Sequence, residues 1–318
     1  MARVFVTRRI PGDALERLAE QHQVEVWQGR LQPSRAKLIE KGQEVDALLC
    51  MLTDRIDRDV IERCRNLQVI SNYAVGVDNI DLGAATERGI PVGFTPDVLT
   101  EATADATFAL LLAAARRVVE GDEIVRAGRW LTWEPTLLLG QDVHGKTLGI
   151  IGMGRIGTAV ARRAEGFGME VLWRTSSDGT PLDELLERSD FVSLHAPLTP
   201  ETRALIDDEQ LKAMKPTAIL VNTSRGGLVD SGALARALAN GWIAGAALDV
   251  ADPEPIPHGH PLLDAPNLIL NPHTASASIE ARTAMADLAV ENLLAGLAGE
   301  PMPQCFNADA LGVTRQAP

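Results

Sequence analysis

Three polar side chains of this sequence, Arg225, Glu254 and His273, could together hold and protonate a small acid. They stand at or soon after the ends of the short apolar runs AILVNTS, GAALDV and NLILNP. A guanidinium can hold a carboxylate and polarise a carbonyl group, an imidazole can donate a proton, and a carboxylate beside the ring favours its charged form. Each residue alone is typical of an ordinary loop or strand end. Together, behind three strands, they predict a site at which a carbonyl group is reduced.

A glycine pattern, G-x-G-x-x-G, supplies a second group of candidates directly after the apolar run LGII and directly before an amphipathic helix. In that context the first glycine makes a tight turn, the second lets the backbone approach a pyrophosphate, and the third lets helix and strand touch. The pattern therefore predicts a dinucleotide held at a helix N-terminus, with a plain strand–helix turn as the alternative. The residues concerned are Gly152, Met153, Gly154, Arg155, Ile156 and Gly157.

The end of the next strand indicates which dinucleotide is bound. An NAD-binding fold usually places a carboxylate there for the ribose, whereas this sequence reads VLWRTSSDG. Arg174, Thr175, Ser176 and Ser177 would suit a 2′-phosphate, and the strand end lacks the carboxylate that would repel it. The sequence thus favours NADP as the cofactor, and NAD remains the alternative, with Asp178 on the ribose.

The elements that must position these groups form two series of alternating strands and helices, separated by a long helical stretch from about Thr100 to Gly128. Such alternation predicts an α/β protein with parallel sheets covered by helices on both faces. The strands expected before the helical stretch are RVFVT, VEVWQG, DALLCML, LQVISNYA and IPVGF. Those expected after it are TLGIIG, MEVLW, DFVSLHA, AILVNTS, AGAALDV and NLILNP.

Composition limits the class of protein further. The 318 residues carry a net charge of -13, which argues against a nonspecific grip on nucleic acid or anionic lipid. The longest apolar stretch, ATFALLLAAA, is too short to cross a bilayer. Three scattered cysteines, Cys50, Cys64 and Cys305, suit a reducing compartment and lack metal-ligand spacing. We therefore expect a cytoplasmic protein without a metal site.

With these motifs in hand, the chain resembles the D-2-hydroxyacid dehydrogenases, most closely their glyoxylate/hydroxypyruvate reductase branch. The resemblance covers nearly the whole chain through NYAVGVDNID, TPDVLTEATAD, GKTLGIIGMGRIG, DFVSLHAPLTPET, NTSRGGLVD, GAALDVADPEP and NPHTASAS. It implies two doubly wound parallel-sheet domains, with a Rossmann dinucleotide-binding domain (100–286) inserted into a flavodoxin-like substrate domain (1–99 and 287–318). It also implies reduction of small 2-oxo acids and a homodimer formed through the Ala-rich stretch after Thr100.

The resemblance also implies roles for individual residues. Arg225 would bind and polarise the 2-oxo acid, His273 would donate the proton, and Glu254 would be the partner of His273. Other substrate contacts would come from backbone amides near Leu52, Val75 and Gly76 and from Trp133 reaching the neighbouring subunit's site. Asp249 would meet the nicotinamide carboxamide, and Thr103 would lie close to the ring. Further cofactor contacts are expected from His195, Ala196, Pro197, Thr202, Asn222, Thr223, Ser224, His273 and Ala275.

Two features depart from the family pattern and bear on the cofactor. The connection between MEVLW and PLDELLERS is about ten residues shorter than the family's usual one, and WRTSS shifts the arginine relative to the common Ser-Arg-Thr order. Alternative functions are a dehydrogenase of the same fold for another 2-oxo acid or for phosphite, and a nucleotide-sensing, corepressor-like interaction protein.

Overall fold

The computed structural model describes residues 1–312, and the chain divides into two compact units. Unit 1 contains Met1–Leu99 and the chain from Ala277 onward, and unit 2 is Thr100–Ser276. The sequence places the second crossing between residues 286 and 287, whereas the two units of the structure divide between Ser276 and Ala277. Residues Ile279–Ala298 form one continuous helix, which begins after the N-cap Ser278, so the crossing lies just before the helix.

The secondary structure follows the predicted alternation. The strands are β1 (Arg3–Val6), β2 (Gln23–Val26), β3 (Ala47–Met51), β4 (Val69–Tyr73), β5 (Val92–Gly93), β6 (Thr147–Ile151), β7 (Glu170–Arg174), β8 (Phe191–Leu194), β9 (Ile219–Asn222), β10 (Gly245–Leu248) and β11 (Leu268–Leu270). The helices are α1 (Ala14–Gln21), α2 (Arg35–Gly42), α3 (Arg58–Arg63), α4 (Leu82–Glu87), α5 (Thr100–Ala115), α6 (Val118–Arg126), α7 (Arg155–Gly166), α8 (Leu182–Arg188), α9 (Asp208–Ala213), α10 (Ser231–Asn240), α11 (Ile279–Ala298) and α12 (Ala308–Leu311). Short 3-10 helices occupy Gly226–Leu228 and Pro261–Asp264.

Unit 1 is built on a five-stranded parallel sheet with the order β2-β1-β3-β4-β5, which is the flavodoxin-like arrangement. Its central strands β1, β3 and β4 are mostly apolar and are buried on both faces, as is typical of parallel strands covered by helices. Helix α11 lies against β4, where the Ser71 hydroxyl donates to the Ala289 carbonyl at 2.8 Å. Apolar residues of α2, α3 and α4 pack into the core with Phe5, Leu48 and Ile70.

Unit 2 is built on a six-stranded parallel sheet with the order β11-β10-β9-β8-β6-β7. The strand order reverses at β6, because the chain passes first to β7 on one side and then to β8 on the other. In doubly wound folds, ligands bind outside the carboxyl ends of the strands at this reversal. The α/β fold class, with two parallel sheets, is confirmed.

The long helical stretch predicted from Thr100 to Gly128 is in fact two helices. Helix α5 ends at Ala115, and α6 begins after Arg117, whose φ of 52° is left-handed. A left-handed residue cannot continue a right-handed helix, so the chain turns at this point. In the part of the chain that the structure describes, no helix has both the length and the apolar character needed to span a membrane.

Candidate active site

The glycine loop between β6 and α7 has three glycines in three different environments. Gly152 has a φ of 101°, and a Cβ there would overlap the backbone of the residues after β8. A Cβ at Gly157 would overlap the Gly152 carbonyl, so this position keeps helix and strand in contact. At Gly154, a Cβ would meet no heavy atom of the described chain within 4 Å apart from those of its immediate chain neighbours, so the space above the backbone is open.

The start of α7 fits the pyrophosphate of a dinucleotide. The N-cap of this helix is Gly154, which has no side chain to accept the first N–H groups of the helix. Those N–H groups and the helix dipole favour a bound anion. Met153 and Ile156 are half-buried and Arg155 is exposed in the same turn. The geometry therefore suits the ligand that the glycine pattern predicts.

The chain after β7 explains the shortened connection. It closes at once into a tight turn, in which the Thr175 amide donates to the Asp178 carbonyl at 2.7 Å and the Thr180 amide donates to the Trp173 carbonyl at 2.7 Å. The chain then enters α8 directly, and β7 is an edge strand of the six-stranded sheet. The Thr175 hydroxyl accepts from the Asp178 amide at 3.0 Å. Thr175 thus holds the turn, while Ser176 is exposed and Arg174 is half-exposed.

His195, at the end of β8, is neutral at neutral pH. Its Nε2 lies 2.8 Å from the Ser193 hydroxyl. Burial lowers the pKa of His195 to about 4, because the ring loses water that would solvate its charge. An uncharged imidazole cannot serve as the proton donor at neutral pH, so His195 does not compete with His273 for that role.

Hydroxyl groups tie the loops that follow β8 and β9 to their surroundings. Thr103 is buried on α5, and its carbonyl accepts from the Thr107 hydroxyl at 2.8 Å. Three further hydrogen bonds fix five other residues that are expected to line the cofactor. They join Thr202 Oγ1 to the Pro197 carbonyl (2.7 Å), Ser224 Oγ to the Ala196 carbonyl (2.7 Å), and the Thr107 hydroxyl to the Thr223 hydroxyl (2.8 Å).

The loop that carries Arg225 is ordered by Asn222, which is fully buried at the end of β9. The Asn222 side-chain amide donates to the Arg225 carbonyl at 2.8 Å, and its oxygen accepts from the Ser224 amide at 3.0 Å. A Cβ at Gly226 would overlap the backbone of Ala251, so this loop packs directly on the loop after β10. Arg225 is thereby fixed beside the loop that carries Glu254.

Asp249, at the end of β10, organises the loop that carries His273. Its carboxylate is 1% exposed and accepts from the Thr274 amide at 2.8 Å, the Ala275 amide at 2.8 Å and the Asn271 side chain at 3.2 Å. Asp249 is also expected to meet the nicotinamide carboxamide, and in the structure three donors of its own unit converge on its two oxygens.

His273 and Glu254 are in direct contact. The Nδ1 of His273 lies 2.7 Å from Oε1 of Glu254, and their side chains are 19% and 33% exposed. Because a carboxylate only accepts hydrogen bonds, Nδ1 carries a proton. Nε2 is then the ring nitrogen that can interact with a substrate. The backbone at His273 is left-handed, with a φ of 55°, and its amide donates to the Asp249 carbonyl at 2.8 Å. Arg225, Glu254 and His273 therefore all follow the carboxyl ends of neighbouring strands in one sheet.

The remaining predicted residues lie elsewhere. In unit 1, Leu52 follows β3, Val75 and Gly76 follow β4, and all three are half-buried. In unit 2, Trp133 is 77% exposed in the segment after α6. The sequence reasoning missed Asn271 and Thr107, which hold the loops described above. The available signal was their polar character inside otherwise apolar stretches.

Comparison with known proteins agrees with this geometry. Residues 108–275 match the family model described as the NAD-binding domain of D-isomer specific 2-hydroxyacid dehydrogenases. The glyoxylate reductase of Korarchaeum cryptofilum (strain OPF8) is 53% identical over 323 residues, which cover 98% of this chain and 97% of that protein.

Solved structures give the same result. The TT0316 protein from Thermus thermophilus has a TM-score of 0.90 and 53% identity, covering 96% of this chain and 99% of that one. An NADPH-dependent glyoxylate/hydroxypyruvate reductase from Sinorhizobium meliloti, solved with NADP and malonate, has a TM-score of 0.85 and 33% identity, covering 99% of each chain. Arg225, Glu254 and His273 follow the carboxyl ends of neighbouring strands, and the matches cover nearly the whole chain. We conclude that the chain belongs to the D-isomer-specific 2-hydroxyacid dehydrogenases, a family of nicotinamide-dependent oxidoreductases.

Proposed function

We propose that this protein is an NADPH-dependent reductase of small 2-oxo acids, with glyoxylate and hydroxypyruvate as its first candidates. The observation that carries this proposal is the 2.7 Å contact between His273 Nδ1 and Glu254 Oε1 at the sheet edge that also holds the glycine loop. Relatives about as similar as the Korarchaeum cryptofilum enzyme bear the name glyoxylate reductase, which supports this substrate class.

Each polar residue of the site has a separate task in the proposed reaction. The Arg225 guanidinium binds the acid and polarises its carbonyl group, which makes the carbon more electrophilic. The Glu254 carboxylate orients the His273 ring and stabilises its charge, so that Nε2 donates a proton to the oxygen as the alcohol forms. The nicotinamide, when bound, supplies the hydride. Backbone amides near Leu52, Val75 and Gly76 bind the substrate carboxylate.

A substrate panel tests this proposal. Purified protein is assayed for NADPH and NADH oxidation with glyoxylate, hydroxypyruvate and pyruvate, and for reduction of NADP and NAD with phosphite. We expect the highest kcat/KM for glyoxylate or hydroxypyruvate. A higher kcat/KM for pyruvate or phosphite would instead indicate the alternative function, a dehydrogenase of the same fold for another 2-oxo acid or for phosphite. Absence of turnover with every substrate would favour the interaction-protein alternative and contradict the proposal.

The proposed preference for NADPH rests on the end of β7. Arg174, Ser176 and Ser177 remain as candidates to face a 2′-phosphate, because the Thr175 hydroxyl is engaged within the turn. The similarity to an enzyme solved with NADP supports the same choice. Replacement of Arg174 by Ala should raise KM for NADPH by about tenfold or more and leave KM for NADH within about twofold.

The matched control for Arg174→Ala is Arg188→Ala, which removes a surface arginine paired with Glu170 and Glu184 in the same unit. Arg188→Ala should leave both KM values unchanged. If the wild-type protein uses NADH better than NADPH, the preference is contradicted, and Asp178 becomes the candidate for the ribose.

We further propose that the protein is a homodimer whose interface includes α6 and the segment after it. This region exposes many apolar side chains next to a cavity of about 560 Å³ between the end of α5 and β11. Exposed apolar patches of this kind mark protein–protein contacts. The exposed residues are Val118, Val119, Val125, Trp130, Leu131, Trp133, Leu137 and Leu139.

Light scattering coupled to gel filtration tests the dimer. We expect the mass of two 34.1 kDa chains for the wild type and a lower average mass for Val119→Glu, which places a charge beside the cavity. A monomeric wild type would contradict the proposal. If Trp133→Ala lowers activity and leaves the dimer mass unchanged, Trp133 reaches the neighbouring subunit's site.

A cytoplasmic location is also proposed. Cys50, Cys64 and Cys305 are all buried, and the described chain joins none of them in a disulfide, which suits a reducing compartment. Cell fractionation with an antibody to the native protein tests this location, and recovery from an oxidising compartment would contradict it.

A further inference from the structure

In unit 1, four polar side chains lie together beneath the loops that follow β3 and β4. They are Thr7, Asp54, Asn72 and Asn79, and we call them the polar cluster. Thr7, Asp54 and Asn72 are at most 3% exposed. A polar group buried in this way costs about 1–3 kcal/mol unless it is hydrogen-bonded. Apolar side chains at these positions would avoid that cost. The bonds that the cluster makes indicate what it does instead.

Asn79 holds the loop after β3. Its side-chain amide lies 3.1 Å from the Met51 carbonyl and 3.0 Å from the Asp54 carbonyl, and donates to both. The Asp54 carboxylate accepts from the Met51 amide at 2.7 Å, while the Asp54 amide donates to the Met51 carbonyl at 2.9 Å. Turn 51–54 is therefore closed by its own residues and anchored from outside by Asn79.

Asn72 holds the loop after β4 and joins it to the first loop. Its side-chain amide donates to the Gly76 carbonyl at 2.9 Å and to Oδ1 of Asn79 at 3.0 Å. The two asparagines therefore fix the two loops to each other. Thr7, which directly follows β1, completes the cluster by donating its hydroxyl proton to the Asp54 carboxylate.

The direction of these bonds sets the direction of the loop amides. In a trans peptide the C=O and the following N–H point in opposite directions. Since the Met51 carbonyl points at Asn79, the Leu52 N–H points away from the cluster. Since the Gly76 carbonyl points at Asn72, the Val77 N–H also points away from it. The cluster thus directs one donor of each loop, the Leu52 N–H and the Val77 N–H, away from itself.

We propose that the polar cluster is a positioning device for substrate, which presets the amides of both loops to bind a carboxylate. This inference rests on the proposed function, in which amides near Leu52, Val75 and Gly76 hold the acid. It adds the four residues of the cluster as positioning residues, none of which touches the reacting atoms. A preset pair of loops binds an anion without reordering, so loss of the cluster weakens substrate binding more than cofactor binding or the proton transfer.

Replacement of Asn79 by Asp tests the proposal with almost no change of volume. The new carboxylate keeps an acceptor for Asn72 but loses both N–H donors and places oxygen against the Met51 and Asp54 carbonyls. We expect KM for glyoxylate and the inhibition constant of oxalate, a carboxylate analogue, to rise together by about tenfold or more. The dissociation constant of NADPH, measured by fluorescence, should stay within about twofold. The matched control is Asn66→Asp, which alters an exposed amide that donates to the Gln43 carbonyl at 3.3 Å.

A second pair of variants keeps the test decisive if Asn79→Asp does not fold. Thr7→Val removes the hydroxyl at nearly constant shape and should raise KM for glyoxylate several-fold, whereas Thr7→Ser keeps the hydroxyl and should restore it. If the variants only lower thermal stability, and KM stays at the wild-type value, the cluster is merely structural and the inference is overturned. If the wild type turns over no 2-oxo acid, the proposed function fails, and the inference with it.

Discussion

Replacement of Asp249 by Asn should impair catalysis by releasing the loop of His273. Three donors converge on the two carboxylate oxygens of Asp249: the amides of Thr274 and Ala275 and the side chain of Asn271. Asparagine offers one oxygen and one NH2 group in nearly the same volume. At least one buried N–H of the loop must then face another donor instead of an acceptor.

The size of the effect follows from those contacts. A hydrogen bond to a charged group contributes about 1.5–3 kcal/mol, and an unsatisfied buried N–H costs about 1–3 kcal/mol. The left-handed backbone at His273, with a φ of 55°, costs roughly a further 1–2 kcal/mol, which the intact loop offsets. If about 2 kcal/mol of this is lost from the ordering of the loop, kcat should fall by roughly 30-fold.

The assay is steady-state reduction of glyoxylate at saturating NADPH, together with chemical denaturation of the same samples. Asp190→Asn is the control, because Asp190 accepts from the Thr147 amide at 2.9 Å and from Lys215 at 2.8 Å, just before β8 at the opposite edge of the same sheet. Both variants should lose stability, but only Asp249→Asn should lose kcat. A kcat within about threefold of the wild type for a folded Asp249→Asn protein would refute the reasoning.

Two further predictions concern the glycine loop and the effect of pH. Gly154→Ala should fold normally, because its Cβ meets open space, and should weaken NADPH binding by about tenfold or more. Gly157→Ala should lose about 2 kcal/mol or more of its free energy of unfolding, measured by chemical denaturation, because its Cβ overlaps the Gly152 carbonyl. Because burial lowers the pKa of His195 to about 4, the unfolded chain binds a proton below about pH 6.5 that the folded chain does not, so wild-type stability should fall between those values. His195→Gln should lose less free energy of unfolding than the wild type between about pH 7 and pH 5, and an equal loss in both proteins would contradict this.

The sequence predicted those features that depend on local pattern and on chemical type. Short apolar runs that alternate with helical segments predicted both parallel sheets, because a parallel strand buried on both faces consists mostly of apolar residues. The side-chain chemistry of His273 and Glu254 predicted a pair that the structure brings to 2.7 Å across 19 positions of the chain. The glycine spacing predicted a loop in which each glycine has the environment that its role requires.

Other features depend on contacts between distant residues and could not be read from local pattern. The role of Asp249 depends on amides 25 and 26 positions later, and nothing near Asp249 in sequence indicates them. The break after α5 occurs at Arg117, a residue type that favours helices, so helix propensity does not predict its left-handed backbone. The polar cluster likewise joins the ends of β1, β3 and β4, which meet only in the folded sheet.

Reduction of glyoxylate by His273→Ala is the most direct test of the central claim, that an imidazole held by Glu254 supplies the proton. The variant is compared with His258→Ala, which removes an exposed imidazole from the loop that follows Glu254. We predict that His273→Ala still binds NADPH but loses about 100-fold or more in kcat at saturating NADPH, while His258→Ala retains full activity. Near-normal turnover by His273→Ala with NADPH bound would contradict the account.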